Sequence, residues 1–270
     1  MRHLPRRGSA LALVLCASFA GVSCDAAGQR TAAPAAAVPA AAADTSGRGA
    51  APAYQVISVN GAGRITGRVT VTGHVRRDTV VFSSADARWC GATPRVSLVE
   101  GAGDRVAGAV VWIDDLRAGK PLPMMRRYDL TTARCAARPA VQAAVAGGML
   151  DVRSRDPIAH RTRFLLGAAT LDVVDENDAG QVVPTAAVLA HAGLVEVRCD
   201  LHAATHGWIR VFDQPYFTVT ARDGSFHIDS IPPGTYHVAV WQPALGMRET
   251  TVQVKKGEAA TVNVAMPAPR

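Results

Sequence analysis

The motifs of the common enzyme classes are missing from these 270 residues. There is no Gly-x-Ser-x-Gly, no His-Glu-x-x-His, no phosphate-binding loop and no Gly-x-Gly-x-x-Gly behind a strand, and the chain reads as a non-enzyme. Aromatic residues are few, at 5%. Trp112, Trp208, Tyr216, Phe217 and Trp241 read as core and edge packing rather than a sugar platform, which would need several of them exposed on one face. No basic run is interleaved with aromatics, so the net charge of +7 does not indicate nucleic-acid binding. The acidic runs Asp114-Asp115 and Asp175–Asp178 lack the spacing of a calcium loop, and Asp175–Gly180 reads as a turn-rich loop. Helix-period patterns are scarce. The apolar run Leu11–Ala20 is too short for a membrane span.

What the N-terminus does contain is an address. Arg2, His3, Arg6 and Arg7 precede Leu11–Ala20, and Gly21-Val22-Ser23-Cys24 follows in the manner of a bacterial lipobox. Residues 1–23 therefore read as a signal peptide and Cys24 as the lipidation site; ordinary cleavage nearby, releasing a soluble protein, is the alternative. Residues 24–53 form an Ala/Pro-rich tether with almost no large apolar side chain, which cannot bury a core. The expected location is the cell envelope or periplasm, with membrane contact through the N-terminal lipid. Loss of the leader removes Arg2, Arg6 and Arg7 and leaves a mildly basic domain.

Beyond the tether, alternating runs rich in Val, Ile and Thr recur between Gly, Pro, Asp and Asn. Examples are Arg64–Thr72, Val106–Ile113, Met149–Arg153, Leu171–Val174, Leu194–Cys199, Trp208–Phe212, Thr235–Trp241 and Ala260–Met266. This spacing predicts an all-β fold of two antiparallel β-sandwich modules. Asp223-Gly224 marks a hairpin and Pro232-Pro233-Gly234 a second rigid turn. The segment Leu116–Ala146 is the least strand-like, and Ala140–Ala146 suits a short helix stopping at Gly147-Gly148. The module boundary falls near Asp213-Gln214-Pro215.

The chain has five cysteines. Cys16 lies in the leader and Cys24 is the candidate anchor, which leaves Cys90, Cys135 and Cys199. Three cysteines in an oxidising compartment imply one pair and one thiol with another task. Cys199 sits three residues before His202, so Cys90 and Cys135 are the natural disulfide. A thiolate and an imidazole on one short loop suit copper or zinc better than hard cations. A structural zinc site is disfavoured, because such sites normally use four ligands. His74, His191, His227 and His237 read as surface or edge histidines, although His227 and His237 flank one hairpin and could face each other.

The run DGSFHIDSIPPGTYHVAVW resembles the carboxypeptidase-regulatory-like (transthyretin-like) sandwich and assigns it residues 214–270; GRITGRVTVTG also looks like the first strand of such a module. Cys90-Gly91, Cys135, Asp156-Pro157-Ile158-Ala159-His160 and Cys199-Asp200-Leu201-His202, in that order, resemble a cupredoxin-like protein of the bacterial envelope and assign it residues 54–213. The resemblance implies copper as cofactor, held by His160, Cys199 and His202, and electron transfer to a redox partner protein. His160 is expected on the loop after Met149–Arg153. Thr205 stands where an axial Met is usual, and His206 is a spare imidazole beside it. The alternative is a metal-free binding or structural module with a carbohydrate-binding-like fold, for which carbohydrate is a possible partner.

Overall fold

A computed structural model describes residues 53–74, 77–79, 87–91, 95–97, 99–114 and 116–268. The leader, Cys24 and the tether as far as residue 52 lie outside the described residues. The first strands are β1 (Gln55–Val56), β2 (Gly63–Thr72), β3 (Arg77–Thr79), β4 (Arg95–Ser97) and β5 (Val110–Ile113), with the short helix α1 (Ala87–Cys90) between β3 and β4. Next come β6 (Ala118–Gly119), β7 (Arg127–Ala133), β8 (Ala136–Arg138), β9 (Val141–Val145) and β10 (Met149–Ser154). They are followed by β11 (His160–Leu166), β12 (Ala169–Glu176), β13 (Val182–Thr185), β14 (Gly193–Cys199) and β15 (His206–Phe212). The last are β16 (Phe217–Val219), β17 (Ser225–Ile231), β18 (Gly234–Gln242), β19 (Gly246–Val254) and β20 (Ala259–Pro267).

Two sandwiches result. One packs the sheet β16-β5-β18-β19 against β17-β2-β20, and Ile65, Val111, Phe226, Val238, Val262 and Met266 fill the space between. The other packs β13-β10-β7-β8 against β12-β11-β14-β15-β9 around Leu130, Leu150, Phe164, Val197 and Ile209. Burial of each such side chain contributes roughly 1.5–3 kcal/mol. The sequence boundary at 213/214 does not follow these sheets. Strands β2 and β5 come from the first half of the chain yet pair with β17, β20, β16 and β18. The second sandwich is therefore carried between β5 and β16.

Most pairs are antiparallel, but β1–β6, β2–β20, β7–β10 and β9–β15 are parallel. The β2–β20 approach requires glycine: a Cβ on Gly67 would stand 1.7 Å from the Val262 carbonyl oxygen. β5 is buried on both faces, which explains its unbroken apolar sequence Val-Val-Trp-Ile. Its second face carries Val110 and Trp112, which pack with Phe212 and join the two sandwiches. Arg210 lies over the Trp112 ring at 4.6 Å in the same contact.

The short helix expected at Ala140–Ala146 is instead β9, hydrogen-bonded alongside β15, with Ala144 and Val145 fully buried. A vacant edge on β15 overrides alanine's helix preference. The segment Leu116–Ala146, least strand-like in sequence, holds β6, β7, β8 and β9. Asp175 and Glu176 are the last residues of β12 rather than loop.

Candidate metal centre

The period of two in β14 turns Val195, Val197 and Cys199 inward and leaves Arg198 outside. Cys199 is thus the last core-facing position of its strand. The chain then reverses. The Thr205 amide donates to the His202 carbonyl at 2.9 Å, and the Cys199 amide donates to the Thr205 carbonyl at 3.0 Å. This tight loop buries His202 and leaves Leu201 exposed. β11 lies beside β14 with Thr162 opposite Cys199. His160, two residues earlier on the same face as Thr162, reaches the space beside the sulfur. His160 is the first residue of β11, not a loop residue as its sequence position suggested.

The structure brings His160, Cys199 and His202 together, all buried. Cys199 Sγ is 3.7 Å from His160 Nδ1 and 3.7 Å from His202 Nδ1, and the two nitrogens are 3.1 Å apart. A triangle with those edges has a centre about 2.0 Å from every corner, close to the bond lengths of nitrogen and sulfur ligands to a shared metal. Two imidazoles and one thiolate around that point are a trigonal set suited to copper.

Neighbouring groups hold the set in place. The carboxylate of Asp156 is 3.2 Å from His160 Nε2. An Nε2–H given to that carboxylate leaves the Nδ1 lone pair facing the centre. Asp156 is itself fixed by the amides of Arg134, at 2.6 Å, and Cys135, at 2.8 Å. Arg134 and Cys135 turn sharply between β7 and β8, with φ of 50° and 55°. The Arg161 amide donates to Cys199 Sγ at 3.4 Å. Glu176 pairs with His160 across β12 and β11, and burial raises its carboxyl above the ordinary range against the opposing Thr162 and Thr132 hydroxyls, while Asp156 raises it further.

Cys90 and Cys135 are joined in a disulfide, and Cys199 is free and buried. Thr205 is buried, but its hydroxyl donates to the Cys135 carbonyl at 2.8 Å, so it serves the loop. His206 is outside the centre: its Nε2 is 2.7 Å from Glu196, and its ring lies beside Trp208. His227 and His237 do not face each other, because they pair with Thr66 and Thr251 in different sheets. Trp112, Phe212 and Tyr216 are buried, Phe212 stacks on Phe217, and Trp208 meets Trp241 edge to face, so these rings pack within the protein. Sequence reasoning missed the carboxylate role of Asp156 and the Arg161 amide. The i, i+4 spacing of Asp156 and His160 was the available signal for the first; a main-chain donor leaves none.

Comparison with known proteins adds to this geometry. Residues 171–267 match the family model of the carboxypeptidase regulatory-like domain. The match opens within β12 and runs through β20, so it spans strands of both sandwiches. Over 53 residues, 20% of this chain, it is 42% identical to rhamnogalacturonate lyase A of Emericella nidulans, and over 50 residues 42% identical to the probable rhamnogalacturonate lyase A of Aspergillus terreus. The chain spans only 10% and 9% of the length of these curated relatives. Among solved structures it is similar to the copper-containing nitrite reductase of Thermus scotoductus, at 18% identity and a TM-score of 0.29, covering 38% of this chain and 25% of that one. It is also similar to the purple cupredoxin of Nitrosopumilus maritimus, at 11% identity and a TM-score of 0.26, covering 32% of this chain and 99% of that one. A reduced amicyanin variant gives 17% identity and a TM-score of 0.28 over 32% of this chain and 82% of that one.

Proposed function

We propose that this chain is an exported copper-binding protein that passes single electrons to a redox partner protein, and that it performs no catalysis of its own. The observation that supports this reading most is the triangle of His160 Nδ1, Cys199 Sγ and His202 Nδ1, whose centre is about 2.0 Å from each atom. Copper held there would supply a one-electron couple. The residues keep the geometry constant through such a cycle: His160 is held by Asp156, and Cys199 and His202 belong to one closed loop. The Arg161 amide draws charge from the sulfur, a lever on the reduction potential. In this reading Cys24 carries the lipid that ties the protein to the envelope membrane, and the tether gives it reach.

The test is copper titration of the full chain. One equivalent of copper(II) bound with thiolate-to-copper absorption, lost in Cys199→Ser, supports the reading; no absorption in the wild-type chain sinks it. A second reading follows from the short match to rhamnogalacturonate lyases, in which the carboxypeptidase regulatory-like region is a metal-free module that contacts sugar. Calorimetric titration with rhamnogalacturonan checks it, and an absence of heat at millimolar sugar removes it.

A further inference from the structure

The disulfide is part of the neighbourhood of the metal centre. Cys90 Sγ, Cys135 Sγ and an imidazole nitrogen of His202 all lie within 4.8 Å of one another, and all three residues are buried. Cys135 also forms a group of the same dimensions with Asp156 and His160. We propose that Cys90 and Cys135, once reduced, form with His202 a second, thiolate-rich site for monovalent copper.

Cys135 is held from both sides by bonds that do not involve its sulfur. Its amide donates to Asp156 and its carbonyl accepts from Thr205. Opening the S–S bond leaves these in place, so the Cys135 sulfur stays beside His202. Cys90 ends α1 between the exposed residues Trp89 and Gly91, on the outer side of the pair. The chemistry balances with a dithiol as reductant. The S–S bond breaks, two S–H bonds form, and the dithiol leaves as its own disulfide, having given two electrons and two protons. Metal binding then releases the two thiol protons. Two thiolates and one imidazole are a soft trigonal set, which favours monovalent copper. Zinc would need a fourth ligand.

His202 belongs to both sets and links them. The proposal uses the position of His202 and does not require Cys199 to bind metal.

The test uses the full chain carrying Cys199→Ser, which disables the trigonal set. Copper(I) is titrated against a colorimetric chelator before and after treatment with a water-soluble phosphine, with tryptophan fluorescence reporting the fold. Phosphine treatment is expected to add one bound copper(I) per chain. That increment should vanish in Cys135→Ser/Cys199→Ser and weaken at least tenfold in Cys199→Ser/His202→Ala. No increment, an increment that survives Cys135→Ser, or unfolding on reduction overturns the proposal. Failure of the trigonal copper site appears separately, in the untreated wild-type chain.

Discussion

The Thr205 hydroxyl donates to the main-chain carbonyl of Cys135 over 2.8 Å, with both residues buried. This bond joins the loop that carries two of the three candidate ligands to the turn that carries the disulfide. Thr205→Val keeps the shape and leaves that carbonyl without its donor. The expected loss in chemical denaturation is about 1–3 kcal/mol. Copper stoichiometry should be unchanged, because the hydroxyl is engaged with Cys135; loss of the bound equivalent would show that Thr205 serves the metal directly.

Asp156 is a positioning residue. In Asp156→Ala, His160 keeps its place in β11 but loses its partner at Nε2. Copper should still bind one per chain, with Kd raised roughly 10–100-fold. Asp156→Asn, whose single amide oxygen can still face the Cys135 amide and His160 Nε2 but leaves the Arg134 amide without its acceptor, should recover part of that loss. An unchanged Kd in Asp156→Ala would remove the residue from the centre.

The alanine-rich and threonine-rich strands show where sequence reading stops. β14 is legible because Val195, Val197 and Cys199 alternate with polar residues, and the Asp223-Gly224 turn because its glycine takes a φ of 75°. β11 hides its pattern: its inward positions include His160 and Thr162, and its outward ones Arg161. Buried polar residues cancel the hydropathy contrast that reveals a strand. β9 reads as helix because alanine carries little strand signal, and its partner β15 lies more than sixty residues away. The pairing of β2 with β20 joins opposite ends of the described chain, which no local pattern encodes. The cysteine and histidine spacings survive these losses because they report chemistry rather than periodicity.

Tyr54 and Tyr216 make the alkaline limit predictable. The Tyr216 hydroxyl donates to the Ser230 carbonyl and accepts from the Lys120 amide. Burial raises the pKa of both phenols above the ordinary tyrosine value of 10.0. A folded-state pKa above the unfolded one gives stability that is complete below pH 10 and lost as pH rises toward the folded value. Urea midpoints should therefore fall above pH 10, and the fall should be shallower in Tyr54→Phe. An equal slope in the two proteins would contradict this assignment.

Arg210 joins the sandwiches through ring faces. Its guanidinium lies over Trp112 at 4.6 Å and Phe212 at 5.7 Å, and burial lowers its pKa against the opposing charge of Asp114. Arg210→Met retains much of the apolar contact and removes the cation. A loss of about 1–2 kcal/mol is expected in denaturant unfolding; a gain would show that the cost of burying the charge outweighs its attraction to the rings.

Phe217 lies opposite Trp112 on β16 and β5. The chain thus leaves one sandwich and re-enters it across a single rung of one ladder. Strands β7 to β15 between them form an excursion with both ends clamped side by side. β15 spans its seven residues, about 23 Å, from that junction to the Cys199–Thr205 loop. The candidate metal centre is a cantilever tip, with its fulcrum in the host sheet and its load at the far end. A graft that replaces β7 to β15 by a short turn would remove the tip and leave the strand pairs of the host sandwich in place.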